Sequence, residues 1–268
     1  MAQTTSQTVG IQNQMDYRIR LFFFIFGFTL AYSGAQAQYD VPNNWIFGVQ
    51  LRPTFPNAYL KTEGFSASTD NYSVKSSTQT GISFGAVLRK PIGKFWNIET
   101  GLNFTRRNYQ FDFNYVFNGK NVTNTQQMTF VGYELPIQAL VYVRLGKQWY
   151  MNASAGIVID AYPSETETFG STKSDSTFFD FTTKTLRNKW YSMAVQTNLG
   201  FEYRTLKKGY FYLGSSYHRP FSIIAATAAN VNSVSVDKTL WLELVGGYFS
   251  VDLKYFFKDQ HPQKRPSN

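Results

Sequence analysis

The chain has no cysteine. That excludes disulfide staples, thiolate metal sites and a lipid-modified N-terminal cysteine. Histidine is nearly absent too: His218 and His261 are the only two, so a clustered imidazole site is excluded. Charged residues make up 16% of the sequence. Outside residues 21–31 no apolar run is long enough for a transmembrane helix. No G-x-S-x-G nucleophile motif occurs. Against these absences stands an aromatic content of 18%. A chain this aromatic, without a spanning helix or a disulfide, needs another form of closure, and a fully hydrogen-bonded β-barrel supplies one.

The N-terminal region reads as an export signal. Asp16-Tyr17-Arg18-Ile19-Arg20 forms a short basic segment, residues 21–31 (LFFFIFGFTLA) an apolar core, and Ala35-Gln36-Ala37 a small-x-small cleavage site. Residues 1–14 are polar and have no place in such a signal, so Met15 is the expected initiator. The expected organisation is therefore a spurious extension plus signal over 1–37, one domain over 38–257, and a disordered periplasmic tail over 258–268. That tail carries Pro262 and Pro266 amid mixed charge.

Amphipathic segments follow one another along 38–257, and their connections alternate in length. The short ones are Lys/Gly turns at 91–94, 146–148 and 206–209. The long ones, at 53–77, 108–127, 161–188 and 221–240, are rich in Ser, Thr, Asn and Asp. Short turns at one end and long polar loops at the other are the pattern of an outer-membrane barrel. Period-two splitting gives each segment an apolar and a polar face. Over 131–145, Val131, Tyr133, Leu135, Ile137, Ala139, Val141, Val143 and Leu145 share one face, with Glu134, Gln138 and Arg144 on the other. Segments 81–89, 96–105, 151–160 and 192–204 behave alike, and 44–52, 209–219 and 242–257 are weaker. The expected fold is all-β: an eight-stranded antiparallel up-and-down transmembrane β-barrel, its interior filled by side chains. Gly48, Gly85, Gly156, Gly200 and Gly214 fall on the polar face, which indicates that inner space is scarce. All five tryptophans are expected near a rim: Trp45, Trp96 and Trp149 at the short-turn end, Trp190 and Trp241 at the other. The rival is a soluble barrel with the two faces exchanged.

The formal charge of +9 invites a nucleic-acid reading. It fails because the basic residues collect at the short-turn end (Lys90, Lys94, Lys147, Lys207, Lys208), where either anionic lipid headgroups or a solvated rim accounts for them. The expected partners are outer-membrane lipid, the barrel-insertion machinery meeting the aromatic end of the last strand, and possible envelope or secretion proteins; no nucleic acid is expected. No cofactor is expected.

The lumen-facing charges form two groups. Arg89, Glu99, Arg144, Glu202, Arg204, Asp252 and Lys254, joined by Glu134, make a near-balanced set expected to pair as an internal network, since buried charges must be paired. Nearer the long loops lie Arg52, Arg107, Asp160, His218 and Glu243. An Asp/His pair at a rim is the general-base half of a hydrolase, but spacing alone brings no nucleophile with it; Ser215-Ser216 beside His218 lacks a motif context.

Two stretches, 80–111 (TGISFGAVLRKPIGKFWNIETGLNFTRRNYQF) and 133–159 (YELPIQALVYVRLGKQWYMNASAGIVI), resemble the small outer-membrane β-barrel family that includes the PorT-like proteins. The marks are a G-x-x-x-G strand, a basic short turn, a G-L-N-F strand followed by a basic pair, and an E-L-P strand. The resemblance implies an eight-stranded barrel; PorT-like members are linked to protein secretion. The expected function is non-enzymatic: a surface, structural or recognition role through the long loops, with Phe55, Tyr59, Phe65, Tyr72, Phe169, Phe178, Phe179 and Phe181 as contact residues. The alternatives are a PorT-like envelope-assembly or secretion factor and a rim-located hydrolase.

Overall fold

The structure is a computed structural model that describes residues 45–56, 65–92, 96–205 and 208–257. The signal, the tail, Tyr59 and His261 lie outside the described residues. Thirteen strands are described: β1 (Ile46–Phe55), β2 (Ser66–Thr69), β3 (Tyr72–Ile92), β4 (Trp96–Phe117), β5 (Lys120–Arg144), β6 (Trp149–Ala161), β7 (Thr166–Ser174), β8 (Thr177–Arg187), β9 (Tyr191–Thr205), β10 (Gly209–Pro220), β11 (Ala225–Ser233), β12 (Val236–Leu244) and β13 (Tyr248–Phe256). All pairings are antiparallel, and β1 pairs both β13 and β3. That closes a ring of eight strands in the order β1-β13-β10-β9-β6-β5-β4-β3.

The ring is apolar outside and polar inside. Along β1, Phe47, Val49, Leu51 and Phe55 are exposed, while Gln50, Arg52 and Thr54 are buried. Phe84, Leu102, Leu135, Leu199, Leu213 and Leu253 continue the exposed apolar band around the ring. In water such a band would carry a large hydration cost, so the soluble barrel with exchanged faces does not fit. Trp45, Trp96 and Trp149 are exposed at the short-turn end, with Trp149 against Tyr203 at 4.9 Å between ring centroids. The end of the last strand returns to the first, Phe257 N–H donating to Phe47 O at 2.9 Å. Trp190 and Tyr191 are exposed at the opposite rim. Trp241 departs from the expected rim position: it is exposed on β12, opposite Ala228, in a second sheet.

That second sheet corrects the loop assignment. The long connections are mostly strands. β3, β4 and β5 continue past the ring, and 108–127 is their hairpin, closed by Asn118-Gly119 with φ of 48° and 74°. Two consecutive left-handed residues make the turn that suits strand twist, and Asn-Gly is its preferred pair. β7, β8, β11 and β12 form a separate four-stranded sheet. The segment expected as one strand over 242–257 is two, β12 and β13, parted by Val245-Gly246-Gly247.

The second sheet packs on the extensions of β3–β5 to enclose a core of its own. Tyr72, Val74, Phe111, Phe113, Tyr115, Phe130, Phe179, Phe181, Val231 and Leu242 are buried in it. Side chains tie the sheets at both margins. Gln126 of β5 accepts from Thr168 and Thr183 at 2.9 and 2.7 Å, and its Nε2 donates to Phe181 O at 2.8 Å. On the other side Tyr72 OH donates to Ala229 O at 3.1 Å, and Lys238 Nζ donates to Asn71. The polar loops therefore form a two-layered cap above the ring. Of the aromatics expected at the surface, Tyr72, Phe179 and Phe181 are core residues, Phe65 is half-buried against that core, and Phe55, Phe169 and Phe178 are exposed.

Close approach explains two ring glycines. A Cβ on Gly200 or Gly214 would meet Tyr212 Oη at 2.3 or 2.2 Å. The Tyr212 ring lies across both and donates to Asn198 Oδ1 at 2.5 Å. Gly214→Ala is expected to cost about 1–3 kcal/mol by overpacking, read as a lowered urea midpoint in vesicles. Much of that cost should vanish in a Tyr212→Ala background; an unchanged cost there would place the clash elsewhere.

Candidate functional site: two buried ionic layers in the lumen

The lower layer sits near the short-turn end. Arg89 on β3 donates to Glu99 on β4 (Nε 3.0 Å, Nη2 2.8 Å) and to Glu202 on β9 (2.5 Å). Lys254 on β13 reaches Glu99 at 2.5 Å, and Arg204 pairs with Glu202. The Arg89 guanidinium lies 3.8 Å from the centre of the Phe256 ring, a cation–π contact. Tyr142 OH adds a bond to Glu202 at 3.3 Å. Three cations and two carboxylates thus interlock across the lumen. Their period-two positions aim them inward, and the ring brings β3, β4, β9 and β13 face to face.

The upper layer centres on Glu134 of β5. Arg52 donates to it at 2.6 Å, Arg107 at 2.9 Å, and Tyr248 OH lies 2.9 Å from each of its oxygens. Beside it, His218 Nε2 is 3.1 Å from Asp160 Oδ2, and Tyr162 OH donates to the same oxygen at 3.3 Å. The His218 ring stacks on Tyr248 at 4.7 Å. Arg52, Glu134, Asp160 and His218 are each 1% exposed or less.

Several expected members sit elsewhere. Arg144 is exposed at the rim, its Nε donating to Gly146 O at 2.9 Å; it lies two residues before a turn and swings outward to water. Glu243 is exposed on β12, on the outer side of the cap. Glu134 belongs to the upper layer. Among the described residues Asp252 has no ion-pair partner; it accepts from Ser216, from Asn198 at 2.7 Å and from Ser250 at 2.6 Å. Tyr248 and Tyr162 were missed. Their signal was available: each shares strand parity with a lumen carboxylate, Asp252 and Asp160.

Among the described residues, Glu134, Asp160 and His218 bring potential metal-ligand atoms within 4.8 Å of one another. The donor set does not fit a divalent cation. Both Glu134 oxygens are already engaged by two guanidiniums and a phenol, so a cation would enter beside two positive charges. Ser215 faces outward, and Ser216 is bonded to Asp252, so neither offers a hydroxyl to His218.

A closed ring with an apolar exterior, an ion-paired lumen and aromatic rims is the architecture of a barrel in lipid. The sequence profile of the outer membrane protein beta-barrel domain matches residues 36–224. The chain belongs to that family. Its place is thus the bacterial outer membrane. Comparison with curated proteins finds no match. Among solved structures, the outer membrane protein OprG from Pseudomonas aeruginosa is 16% identical, over 83% of this chain and 99% of that one, with a TM-score of 0.50. That likeness concerns the fold alone. The beta domain of the Bordetella autotransporter BrkA (13% identity, 82% and 100% coverage, TM-score 0.25) aligns more loosely. So does the translocator domain of the autotransporter NalP from Neisseria meningitidis (9%, 95% and 98%, 0.29). Neither bears on the fold of this family member.

Proposed function

We propose that this family member is a closed-lumen, non-enzymatic surface protein that acts through its folded cap in a structural or recognition role. One observation carries the reading: side chains fill the interior, with both ionic layers buried beneath a cap that has its own apolar core. An eight-stranded ring has little space left once such side chains occupy it. The cap holds its outer surface in fixed β-geometry, which lowers the entropic cost of binding a partner. Reconstitution into planar bilayers tests the closure. No steady conductance is expected from the intact chain, and stable single-channel steps from it would refute the reading.

A secretion or envelope-assembly role, implied by the resemblance to PorT-like proteins, would use the same cap with a different partner. Crosslinking in cells followed by capture should then recover a stoichiometric envelope complex, and its absence counts against this role. The hydrolase reading has the Asp160–His218 contact in its favour. Both groups are fully buried, and the ring face is covered by Tyr248. His218→Ala is therefore expected to alter stability without removing any ester- or peptide-cleaving activity.

A further inference from the structure

The outward face of β3, β4 and β5 changes chemistry along its length in a fixed order. On β4 the outward residues are Leu102 and Phe104, then Arg106, then Asn108, Gln110, Asp112 and Asn114. At about 3.4 Å per residue the switch from apolar to cationic takes roughly 7 Å, and the polar run rises roughly 27 Å further. β5 follows in register. Tyr133 lies opposite Phe104 and Val131 opposite Arg106; then come Thr129, Gln127, Thr125 and Thr123. On β3, Phe84 and Ile82 give way to Gln79, Ser77, Lys75 and Ser73. A bulge between Gln79 and Ile82 falls at the switch. It shifts the strand parity by one, so hydroxyl and amide side chains stay outward while Val74 and Tyr72 turn in.

From Arg106 up to Asn114 the face carries Lys75 and Asp112 and is otherwise hydroxyl and amide, with Val116 exposed beyond it. It holds a groove of about 520 Å³, its polar border formed by Ser68, Lys75, Asp112, Asn114, Thr123 and Thr125, with Ala67, Val74 and Phe113 also in its wall. Asn114 Oδ1 is buried in its wall and makes no hydrogen bond among the described residues. A protein partner would want an exposed apolar or aromatic centre, whereas the apolar groups in the groove wall are the small Ala67 and the buried Val74 and Phe113. Sugar hydroxyls suit amides, hydroxyls and a carboxylate. Arg106 is exposed and placed at the upper edge of the apolar band, where it suits a phosphate.

We propose that this face is a binding site for the headgroup of a phosphorylated glycolipid of the outer leaflet. The acyl chains lie on Phe84, Leu102 and Phe104, the phosphate meets Arg106, and the sugars run along the groove. The order acyl, phosphate, sugar in such a lipid repeats the order of the face, and the site is continuous with the lipid-facing band of the same strands. The proposal rests on family membership in the outer membrane and is independent of what the cap recognises.

The absence of cysteine makes a labelling test clean. Full-length Thr125→Cys, and Lys184→Cys on the outward side of β8 as a control, would be placed in nanodiscs. Three compositions are compared: phospholipid alone, phospholipid with lipid A, and phospholipid with rough lipopolysaccharide carrying core sugars. A water-soluble maleimide reads accessibility. Core-bearing lipopolysaccharide should slow labelling at Thr125→Cys by about tenfold and leave Lys184→Cys unchanged. Adding Arg106→Ala should abolish the slowing, with an unfolding midpoint equal to the parent's as the folding control. Lipid A alone should slow Thr125→Cys far less, which separates sugar from phosphate. Equal rates in all three discs, equal slowing at both sites, or slowing in phospholipid discs that grows with protein density (a second copy on the face) would each overturn the proposal.

Discussion

Replacing Glu134 by Ala is expected to lower unfolding stability by about 3–5 kcal/mol, the cost of breaking a buried ion pair from one side. Among the described residues Glu134 is the sole carboxylate bonded to either Arg52 or Arg107, at 2.6 and 2.9 Å, and it also anchors Tyr248. Truncation leaves two buried guanidiniums without the carboxylate that pairs them. Since domains carry roughly 5–15 kcal/mol in all, much of the population should unfold under conditions the parent tolerates. Arg52→Ala should cost less, because Arg107 and Tyr248 still satisfy the carboxylate. Lys120→Ala, which removes an exposed pair with Asp175 at 2.7 Å, should leave the midpoint unchanged. Urea titrations in lipid vesicles, followed by tryptophan fluorescence, give the three midpoints. A Glu134→Ala loss no larger than that of Lys120→Ala would mean the upper layer does not stabilise the ring.

The second large effect concerns the cap. Phe181→Ala should cost about 3–5 kcal/mol through the cavity it leaves, and the loss should be local. Phe181 is fully buried, 5.3 Å from Phe113 between ring centroids, with its carbonyl taken by Gln126. Among the described residues the sheet it belongs to shares no backbone ladder with the ring. Its stability comes from the sandwich core and the marginal side-chain bonds, so it forms a unit that can open by itself. Limited proteolysis should then cut within β7–β8 and β11–β12 while the ring keeps its folded electrophoretic mobility. Cap and ring melting together in this variant would show one cooperative unit and refute the separation.

The ring was legible because lipid and lumen impose opposite polarity on alternate residues. Val131 to Leu145 on one side and Glu134 to Gln138 on the other announce an inside and an outside without reference to any other segment. The paired charges were legible for a related reason: a cation such as Arg89 at a lumen position has to find an anion. Which anion it finds depends on the order in which strands close, and that order brings Arg52 and Arg107 to Glu134. Arg144 misled because parity says inward while the adjacent turn lets the side chain reach water.

The cap was not legible by the same rule. Phe111, Phe113, Phe179 and Phe181 also alternate with polar residues, but among Ser, Thr and Asn the pattern matches an exposed loop as well as a sheet. Asn118-Gly119 was a usable hairpin signal, and it marks the β4–β5 turn. Leu242 and Leu244 share parity with Tyr248 and Asp252, so periodicity does not divide 242–257, and Gly246-Gly247 is the one local sign of a break. The division comes at Gly246, where a Cβ would lie 2.8 Å from Ile224 as the chain passes from cap to ring.

The sequence by itself determined the barrel, which face of each strand turns outward, and the polar interior, because each follows from the medium on either side of a single strand. The cap, the grouping of the ionic layers and the polar outer face above Arg106 were decided by the tertiary structure. Each of these depends on which distant strands meet, and a hydrophobic side chain is buried only when a second sheet exists to cover it.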